Sequence, residues 1–550
     1  MHQNTASQFL ETSSYLEGES YLYSDASVAT IAIIGCGASG VATLSSLIEC
    51  IKNSNYQKYK INIFEKSSNF GSGLAYQCDS DDLLMNMVSS TTSIFENKET
   101  DFWEWMVDKG HEIGSDQIMS RSGISPDGYI SRQFFGLYLK DRLHDAISEA
   151  KKINVSVTLV NYEVIDIKCR DNYFEVTDSM EQVNQFDYVI LCVGNIDPHD
   201  VFNLSGKSQY INNPYPINRY AMGIRRNDCV GIIGGQLTAT DIAVVLARQG
   251  HVGPIHFFTR DSNFPLVRCP KETFELKHFN LENLEVIRSR QFGEISLRQA
   301  LRLARKEFIR AGVKWNKFFN PVRLPYEDWI GYLLSKGHMH AKWQHFAVAS
   351  DAVIGNYWDA LDVSSKRIFM NKYHRLWMCK RVPLPVHTSL KMYSLFKAGI
   401  LKHHSQLLDI QVKTSNKFMA SIAGGGNPEN QIHIECDWII NATGPARSID
   451  VTTSSPLLRN LMKSGLIKAN PFGGIQLDYE TSMVKRDGDN VDNFYAIGHL
   501  TSGTYYFVSS LDMVSMGAKR IARNLVNLSR HSIKPINLIK GKLLGVENAV

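Results

Sequence analysis

The chain has 550 residues, of which 44% are hydrophobic and 21% charged; this is a globular composition, too long for one ordinary domain and in keeping with two or three. A net charge of +4 is small for this length and gives no reason to expect a nucleic-acid partner or a charged membrane surface. No apolar run reaches the roughly 20 residues of a bilayer span.

The first 28 residues are polar and mildly acidic, with neither a cationic start nor an apolar core. They do not read as a secretory signal, and a loose leader is expected. Ile31-Ala32-Ile33-Ile34 then has no polar face, as a strand buried on both sides requires. The turn Gly35-Cys36-Gly37-Ala38-Ser39-Gly40 follows, and Val41, Leu44, Leu47, Ile48 and Ile51 recur on one helix face. In a G-x-G-x-x-G of this kind Gly35 makes the tight turn, Gly37 lets a pyrophosphate approach the backbone, and Gly40 lets the helix pack close to the strand. Ala38 and Ser39 lie where the helix N-terminus offers unpaired N–H groups to a phosphate. The next apolar run, Ile61-Asn62-Ile63-Phe64, ends in Glu65, a carboxylate placed to accept both hydroxyls of a ribose, with Lys66 beside it.

A glycine-punctuated loop, residues 67–76, and the run Leu83-Leu84-Met85-Asn86-Met87 come next, in a region that can return towards a cofactor's reactive ring. Helices are predicted over 101–110 and 131–150, the second opened by Arg132, and strands over 155–160, 162–168 and 173–177. Asp187-Tyr188-Val189-Ile190-Leu191-Cys192-Val193-Gly194 has a distant echo in Asp437-Trp438-Ile439-Ile440-Asn441-Ala442-Thr443-Gly444: an aspartate, an apolar strand, small residues and a glycine. Two nucleotide-binding halves would each need such a returning strand. Between the echoes lies a second strand–turn–helix, Val230-Gly231-Ile232-Ile233-Gly234-Gly235-Gln236-Leu237-Thr238-Ala239, in which Gln236 stands at the second glycine position. Arg260, at the end of the following strand, is placed to meet a 2′-phosphate.

Residues 266–380 break the alternating pattern and read as mostly helical, with Leu297, Ala300, Leu301, Ala304 and Phe308 on one face and Arg298, Arg302, Arg305 and Lys306 opposite. His338, His340 and His345 lack acidic or cysteine partners at helical spacing, and no metal site is expected. Residues 424–427 read as a loop between strands, Phe494-Tyr495-Ala496-Ile497 as a strand before Gly498-His499, and 511–525 as a helix. The nine cysteines are scattered and never form C-x-x-C, which argues against zinc and against a redox disulfide; an odd number of thiols suits a reducing compartment, and a cytoplasmic location is expected.

Taken together and in this order, the motifs resemble those of FAD/NAD(P)-binding flavoproteins with two dinucleotide-binding domains, related to flavin-containing monooxygenases and N-hydroxylases. The resemblance rests on the first turn with Glu65, on Gly71 to Tyr76 and Leu84 to Met87, and on Arg132 to Leu139. It continues through Leu237-Thr238-Ala239 with Asp241, Arg260, the segment from Trp377 to Pro383, Asn441 to Pro445, and Tyr495 to Gly498. It covers nearly everything from Ile31 to about Leu528.

The resemblance implies an α/β fold of two Rossmann-like domains with a mainly helical insertion. An FAD-binding domain would begin at 29–225 and be completed by 431–550; an NAD(P)-binding-like domain, 226–430, would carry the insertion at about 266–380. FAD would be held by Gly35, Gly37, Ala38, Ser39, Gly40, Glu65, Lys66, Met87, Gly194, Gly444 and Gly498, and NADPH or NADH by Gly234, Gly235, Gln236, Leu237, Thr238 and Arg260. His499 stands where many related flavoproteins carry an aspartate.

Two dinucleotide sites suit a relay of hydride from nicotinamide to flavin and of electrons onward to an acceptor. No G-x-S-x-G, H-E-x-x-H or Cys–His signature points to another mechanism. With no redox cysteine pair, O₂ is the natural acceptor, which makes a single-component monooxygenase the leading expectation: a small-molecule substrate, for instance an amine, hydroxylated through a flavin C4a-(hydro)peroxide, with Asn86, Arg132 and His499 near the flavin. An FAD dehydrogenase or reductase that does not activate oxygen, and a flavin-binding protein without turnover, remain open alternatives.

Overall fold

The computed structural model describes residues 28–54, 58–109, 125–261, 264–270, 272–291, 293–315, 324–336, 342–413, 417–450 and 453–531. The expected leader and the positions of His338 and His340 lie outside them. In chain order the strands are β1 (Val28–Ile34), β2 (Lys58–Phe64), β3 (Ser156–Val160), β4 (Val164–Cys169), β5 (Phe174–Asp178), β6 (Val183–Phe186), β7 (Tyr188–Leu191), β8 (Tyr210–Ile211) and β9 (Val230–Ile233). They continue as β10 (Ile255–Phe258), β11 (Leu401–His404), β12 (Leu407–Val412), β13 (Phe418–Gly424), β14 (Asn427–Cys436), β15 (Trp438–Asn441), β16 (Met483–Arg486) and β17 (Asp489–Ala496).

β1 is apolar on both faces because both are covered. Ile31 and Ile33 pack with helices Ala38–Lys52, Arg132–Lys152 and Leu511–His531, while Ala32 and Ile34 pack with β4, β5 and helix Pro456–Lys463. The first sheet runs β16-β17-β7-β1-β2-β3, parallel except for the β16–β17 hairpin, so strands from both ends of the chain share it. The second sheet runs β11-β10-β9-β15-β8 and is parallel throughout. β4-β5-β6 and β12-β13-β14 are small antiparallel sheets. The architecture is thus the α/β fold with two parallel sheets that the sequence predicts. β8 and β15 are hydrogen-bonded into the second sheet, although the expected boundaries at 225 and 431 put both with the first.

The two echo strands are anchored alike. Asp187 precedes β7, and its carboxylate accepts from the Thr30 N–H (2.7 Å) and hydroxyl (2.8 Å). Asp437 precedes β15 and accepts from the Cys229 N–H at 2.8 Å, just before β9. Each aspartate therefore fixes the register of a returning strand on the central strand of its half.

The insertion is helical as expected, from Leu281–Arg288 through Leu297–Arg310, Tyr326–Lys336, Lys342–Ala349, Asp351–Ala360 and Val363–Lys372 to His374–Arg381. It has an aromatic core of its own. Arg298, Arg302, Arg305 and Lys306 are exposed. Glu307, on the opposite face, is fully buried and accepts from the His278 (2.6 Å) and Phe279 (3.1 Å) N–H groups. Among the described residues, no helix is long and apolar enough to cross a membrane.

Replacing Asp187 with Ala leaves the Thr30 N–H without its acceptor and should cost about 1–3 kcal/mol, with Asp187→Asn milder, as read from urea midpoints. On β11, burial first and a neighbouring histidine second lower the pKa of His403 and of His404 to about 4. Both are then neutral in the native state while the unfolded chain takes up protons below its pKa of 6.5. Their contribution to stability is complete above that pH and is lost as pH falls towards 4; His404→Gln should flatten the pH dependence of the urea midpoint in this window.

Candidate dinucleotide sites

The first turn is built by close approach. A Cβ on Gly35, whose φ is +107°, would lie 2.2 Å from the Cys192 carbonyl oxygen, so the turn closes over the end of β7 only with glycine there. A Cβ on Gly40 would lie 2.2 Å from the Gly35 oxygen, which is what lets helix Ala38–Lys52 start immediately. Gly37 differs: its only near neighbour is the Gly73 Cα, 3.6 Å from a Cβ placed there, so its bare backbone faces open room beside the 67–76 loop. No side chain caps this helix and its first turn carries no acid, which leaves its N–H groups, with Ala38 and Ser39, free for an anion.

The loop is held to the turn by the Gly71 N–H donating to the Cys36 carbonyl at 2.7 Å. Glu65 is buried at the end of β2; one oxygen accepts from the Cys36 N–H (2.9 Å) and the other from the Ser67 N–H and hydroxyl. That carboxylate is therefore oriented towards the turn, and Lys66 points to solvent. From the other end of the chain, the Ile497 N–H donates to Leu191, and a Cβ on Gly498 would lie 3.2 Å from Ser39 Oγ. Gly194, beyond the end of β7, has φ +73° and open space above it. A bare turn, an uncapped helix start and an adjacent acid fit the pyrophosphate and ribose of a dinucleotide.

The three candidate catalytic residues meet different fates. Asn86 and Met87 are half-buried next to the Leu84–Ser131 bridge, and the Asn86 amide makes no hydrogen bond to any described residue. Arg132 lies next to them but is engaged through Nε and Nη1. Its guanidinium donates to the Leu84 carbonyl (3.2 Å) and the Tyr215 hydroxyl (3.4 Å) and pairs with Asp241 at 2.8 Å. Tyr215 in turn donates to Asp241 at 2.6 Å. Burial disfavours the charge on Arg132, yet Asp241 and Tyr215 raise its pKa and keep it protonated; burial raises that of Asp241, against the pull of Arg132. His499 donates Nε2–H to the Ala446 carbonyl at 2.9 Å, and burial lowers its pKa, so it is a neutral imidazole with Nδ1 as its acceptor.

The second turn repeats the first. A Cβ on Gly234 would lie 2.5 Å from the Ala442 carbonyl oxygen, at the end of β15, and Gly444 has φ +84° with open space above it. Gly235 packs against Thr259, and Gln236 takes the N-cap position of helix Leu237–Arg248, which Leu237 and Thr238 open. Gln236 keeps the extended backbone of Gly37, and its side chain lies close enough to the buried Cys379 thiol of the insertion to offset part of the rise that burial causes in the thiol's pKa. Arg260 is exposed after β10, and Arg375 from the insertion stands close enough to feel its charge while pairing with Asp261.

Sequence reasoning missed Arg375, Tyr215 and the role of Asp241. Asp241 was visible as an acid inside an otherwise apolar helix face, a position that calls for a partner; nothing local marked Tyr215 or Arg375. It also missed Asp79, which accepts from the Ile217 and Asn218 N–H groups, and Asp82, which pairs with Arg248 (2.9 Å) and Lys391 (2.6 Å).

Residues 32–196 match a family model described as FAD-NAD(P)-binding, so this part of the chain is an FAD/NAD(P)-binding domain. No curated protein matches the chain by sequence. Among solved structures of similar fold is the reduced form of ornithine hydroxylase from Pseudomonas aeruginosa, with a TM-score of 0.57 at 12% identity over 91% of this chain and 99% of that one. L-lysine 6-monooxygenase from Pseudomonas syringae has a TM-score of 0.55 at 12% identity, with the same coverage of 91% and 99%. Ornithine N-hydroxylase from Kutzneria sp. 744, whose structure is of the reduced FAD, NADP+ and L-ornithine complex, reaches 0.55 at 13% identity, again over 91% and 99%.

Arg132→Met leaves the Asp241 charge buried and unpaired and should cost about 3–5 kcal/mol. The double variant Arg132→Met, Asp241→Leu should recover most of that loss in urea unfolding, as expected of a pair that acts structurally.

Proposed function

We propose that the chain is an FAD-dependent monooxygenase that oxidises NAD(P)H and hydroxylates a small molecule at an amine nitrogen, with O₂ as co-substrate. The observation that carries this reading is the pair of dinucleotide turns built to one plan on two parallel sheets, the first of them completed by the C-terminal segment through Gly498. The fold shared with ornithine and lysine hydroxylases supports the reaction class. Bound FAD supplies the transfer of two electrons from the nicotinamide and the activation of O₂.

The chain's own residues do the rest. The uncapped start of helix Ala38–Lys52 holds the pyrophosphate with backbone N–H groups, and Glu65 holds the ribose. Gly498 closes the turn from the far side. Asn86 offers the one uncommitted amide of its segment to the reacting partners, while Arg132 positions that segment through the Leu84 carbonyl and does not itself react. Neutral His499, with its Nε2–H held by Ala446, presents Nδ1 as a proton acceptor. Arg260, with Arg375 close by and paired to Asp261, gives a net positive site that fits the 2′-phosphate of NADPH. Nine free thiols fit a reducing compartment, which we take to be the cytoplasm.

Purified protein should be yellow and should oxidise NADPH with matching O₂ uptake when supplied with an amine from a panel of amines, amino acids and ketones; oxidation that no amine stimulates would sink the hydroxylase reading. Gly37→Val should cut the flavin-to-protein absorbance ratio by about tenfold by filling the space beside Gly73. Arg260→Ala should raise the KM for NADPH about 10–100-fold and leave that for NADH nearly unchanged, the loss of one charge-assisted hydrogen bond.

A further inference from the structure

We propose that the helical insertion binds the hydrocarbon part of the substrate, a single aromatic ring or a branched chain of similar bulk, in an apolar cavity of about 100 Å³ between helix Leu297–Arg310 and Tyr506. This rests on the hydroxylase reading and narrows its substrate to an amine that carries an apolar group.

The cavity exists because helix Leu297–Arg310 turns Ala300 and Ala304, one turn apart, towards a wall of rings. Phe308 lies 5.3 Å from Phe346, Trp358 lies 6.0 Å from Phe369, and Phe369 lies 5.3 Å from Tyr506, centroid to centroid. Four of the polar groups on the wall are satisfied by partners outside it or by its own backbone. Tyr357 donates to the Asn280 carbonyl (3.0 Å), Trp358 Nε1 to that of Gly503 (2.8 Å), and Ser350 to that of Ala347 (2.7 Å). The Tyr506 hydroxyl pairs with His374 Nδ1 at 3.1 Å, and burial lowers the His374 pKa to about 4, so the ring is neutral.

A water molecule needs two to four polar partners, which this wall does not offer, and dry apolar cavities of about 150 Å³ take up benzene. An ammonium or carboxylate in this space would be buried without a partner. Size and chemistry together select a small hydrocarbon group.

Two observations connect the cavity to the dinucleotide site. Tyr506 sits in a three-residue turn with φ +65° and ψ −63°, closed by the Phe507 N–H donating to the Tyr505 carbonyl at 2.8 Å. This conformation is rare and strained for a residue with a side chain, and such strain persists where the surroundings impose it. Here Arg447 imposes it, donating to the Tyr506 carbonyl at 3.2 and 3.3 Å and to those of Ser502 and Phe472. The same segment, residues 498–507, begins with Gly498 against Ser39 of the first turn. A ligand that presses on Tyr506 therefore acts on one end of a segment whose other end meets the dinucleotide.

The test is a calorimetric titration of the FAD-loaded protein with toluene, without NAD(P)H, and with L-lysine as the charged control. Toluene should bind saturably at one site and L-lysine should not displace it. Ala304→Leu should weaken toluene at least about tenfold with the bound-flavin spectrum unchanged, while Leu361→Ala, which enlarges the opposite wall, should tighten isobutylbenzene by about tenfold. The proposal is overturned if toluene gives no saturable heat, if L-lysine displaces it, or if Ala304→Leu raises the Tm while toluene affinity is unchanged, the mark of a packing fault. The titration uses neither NAD(P)H nor O₂, so the two readings fail separately. Toluene binding without amine-stimulated NADPH oxidation overturns the hydroxylase and leaves the site, whereas amine-stimulated oxidation without toluene binding overturns only the site.

Discussion

Each half of this protein depends on a carbonyl oxygen lying directly under the first glycine of its dinucleotide turn. At Gly35 the oxygen belongs to Cys192, and at Gly234 it belongs to Ala442. A side chain at either glycine would collide with a backbone atom that cannot move without unzipping β7 from β1 or β15 from β9. The opposite end of each returning strand is pinned by its aspartate, Asp187 to Thr30 across 157 residues and Asp437 to the Cys229 N–H across 208. The turn that offers N–H groups to a phosphate is thus not a local structure. Its shape is complete only when a distant strand has docked, which predicts slow, non-local folding and ties cofactor retention to the stability of the whole half.

The two halves are joined by acids that stand on one half and act on the other. Asp79 accepts two N–H groups at 217 and 218, Asp82 pairs with Arg248 and Lys391, and Asp241 of the second half reaches back to Arg132 of the first. The Arg132–Asp241 pair is the most buried of these, and with Tyr215 it forms a closed triangle of hydrogen bonds. Charges this buried contribute little net stability, but a misplaced half would leave them unpaired. Their effect is to make one relative placement of the sheets far better than its neighbours, as a relay between two bound dinucleotides requires.

The sequence made the repeated features legible because each has a short-range signature. Short apolar runs marked β1, β7, β9 and β15, glycine spacing marked both turns, and the Asp-led echo marked the returning strands whose anchoring the structure then shows. Lateral relations were less visible. The short β8 carries no pattern to show which sheet it joins, and β15 joins the second sheet although it lies beyond the expected boundary at 431. Arg132 was recognised as important, but a sequence cannot tell an arginine that faces a ligand from one paired to an acid 109 positions away across the interface. The insertion was legible as helices and not as a cavity, since Ala300 and Ala304 read as ordinary core until the rings opposite them are placed.

The departure at Gln236 also acquires a physical reason. In the first half, the room beside Gly37 is bounded by the Gly73 backbone, and Gly498 stands against the Ser39 hydroxyl of the same turn. In the second half the corresponding residue reaches towards Cys379 of the insertion, on the same helix as the Arg375 that stands near Arg260. The first site is closed by the rigid ends of strands, and the second by side chains of a helical layer that also walls the cavity. A tightly retained dinucleotide suits the first arrangement. One that must enter and leave suits the second, because a side chain can swing away from a phosphate at far smaller cost than a strand can leave its sheet. Gln236 is then the point at which the second turn meets the insertion, where the first turn has only bare backbone.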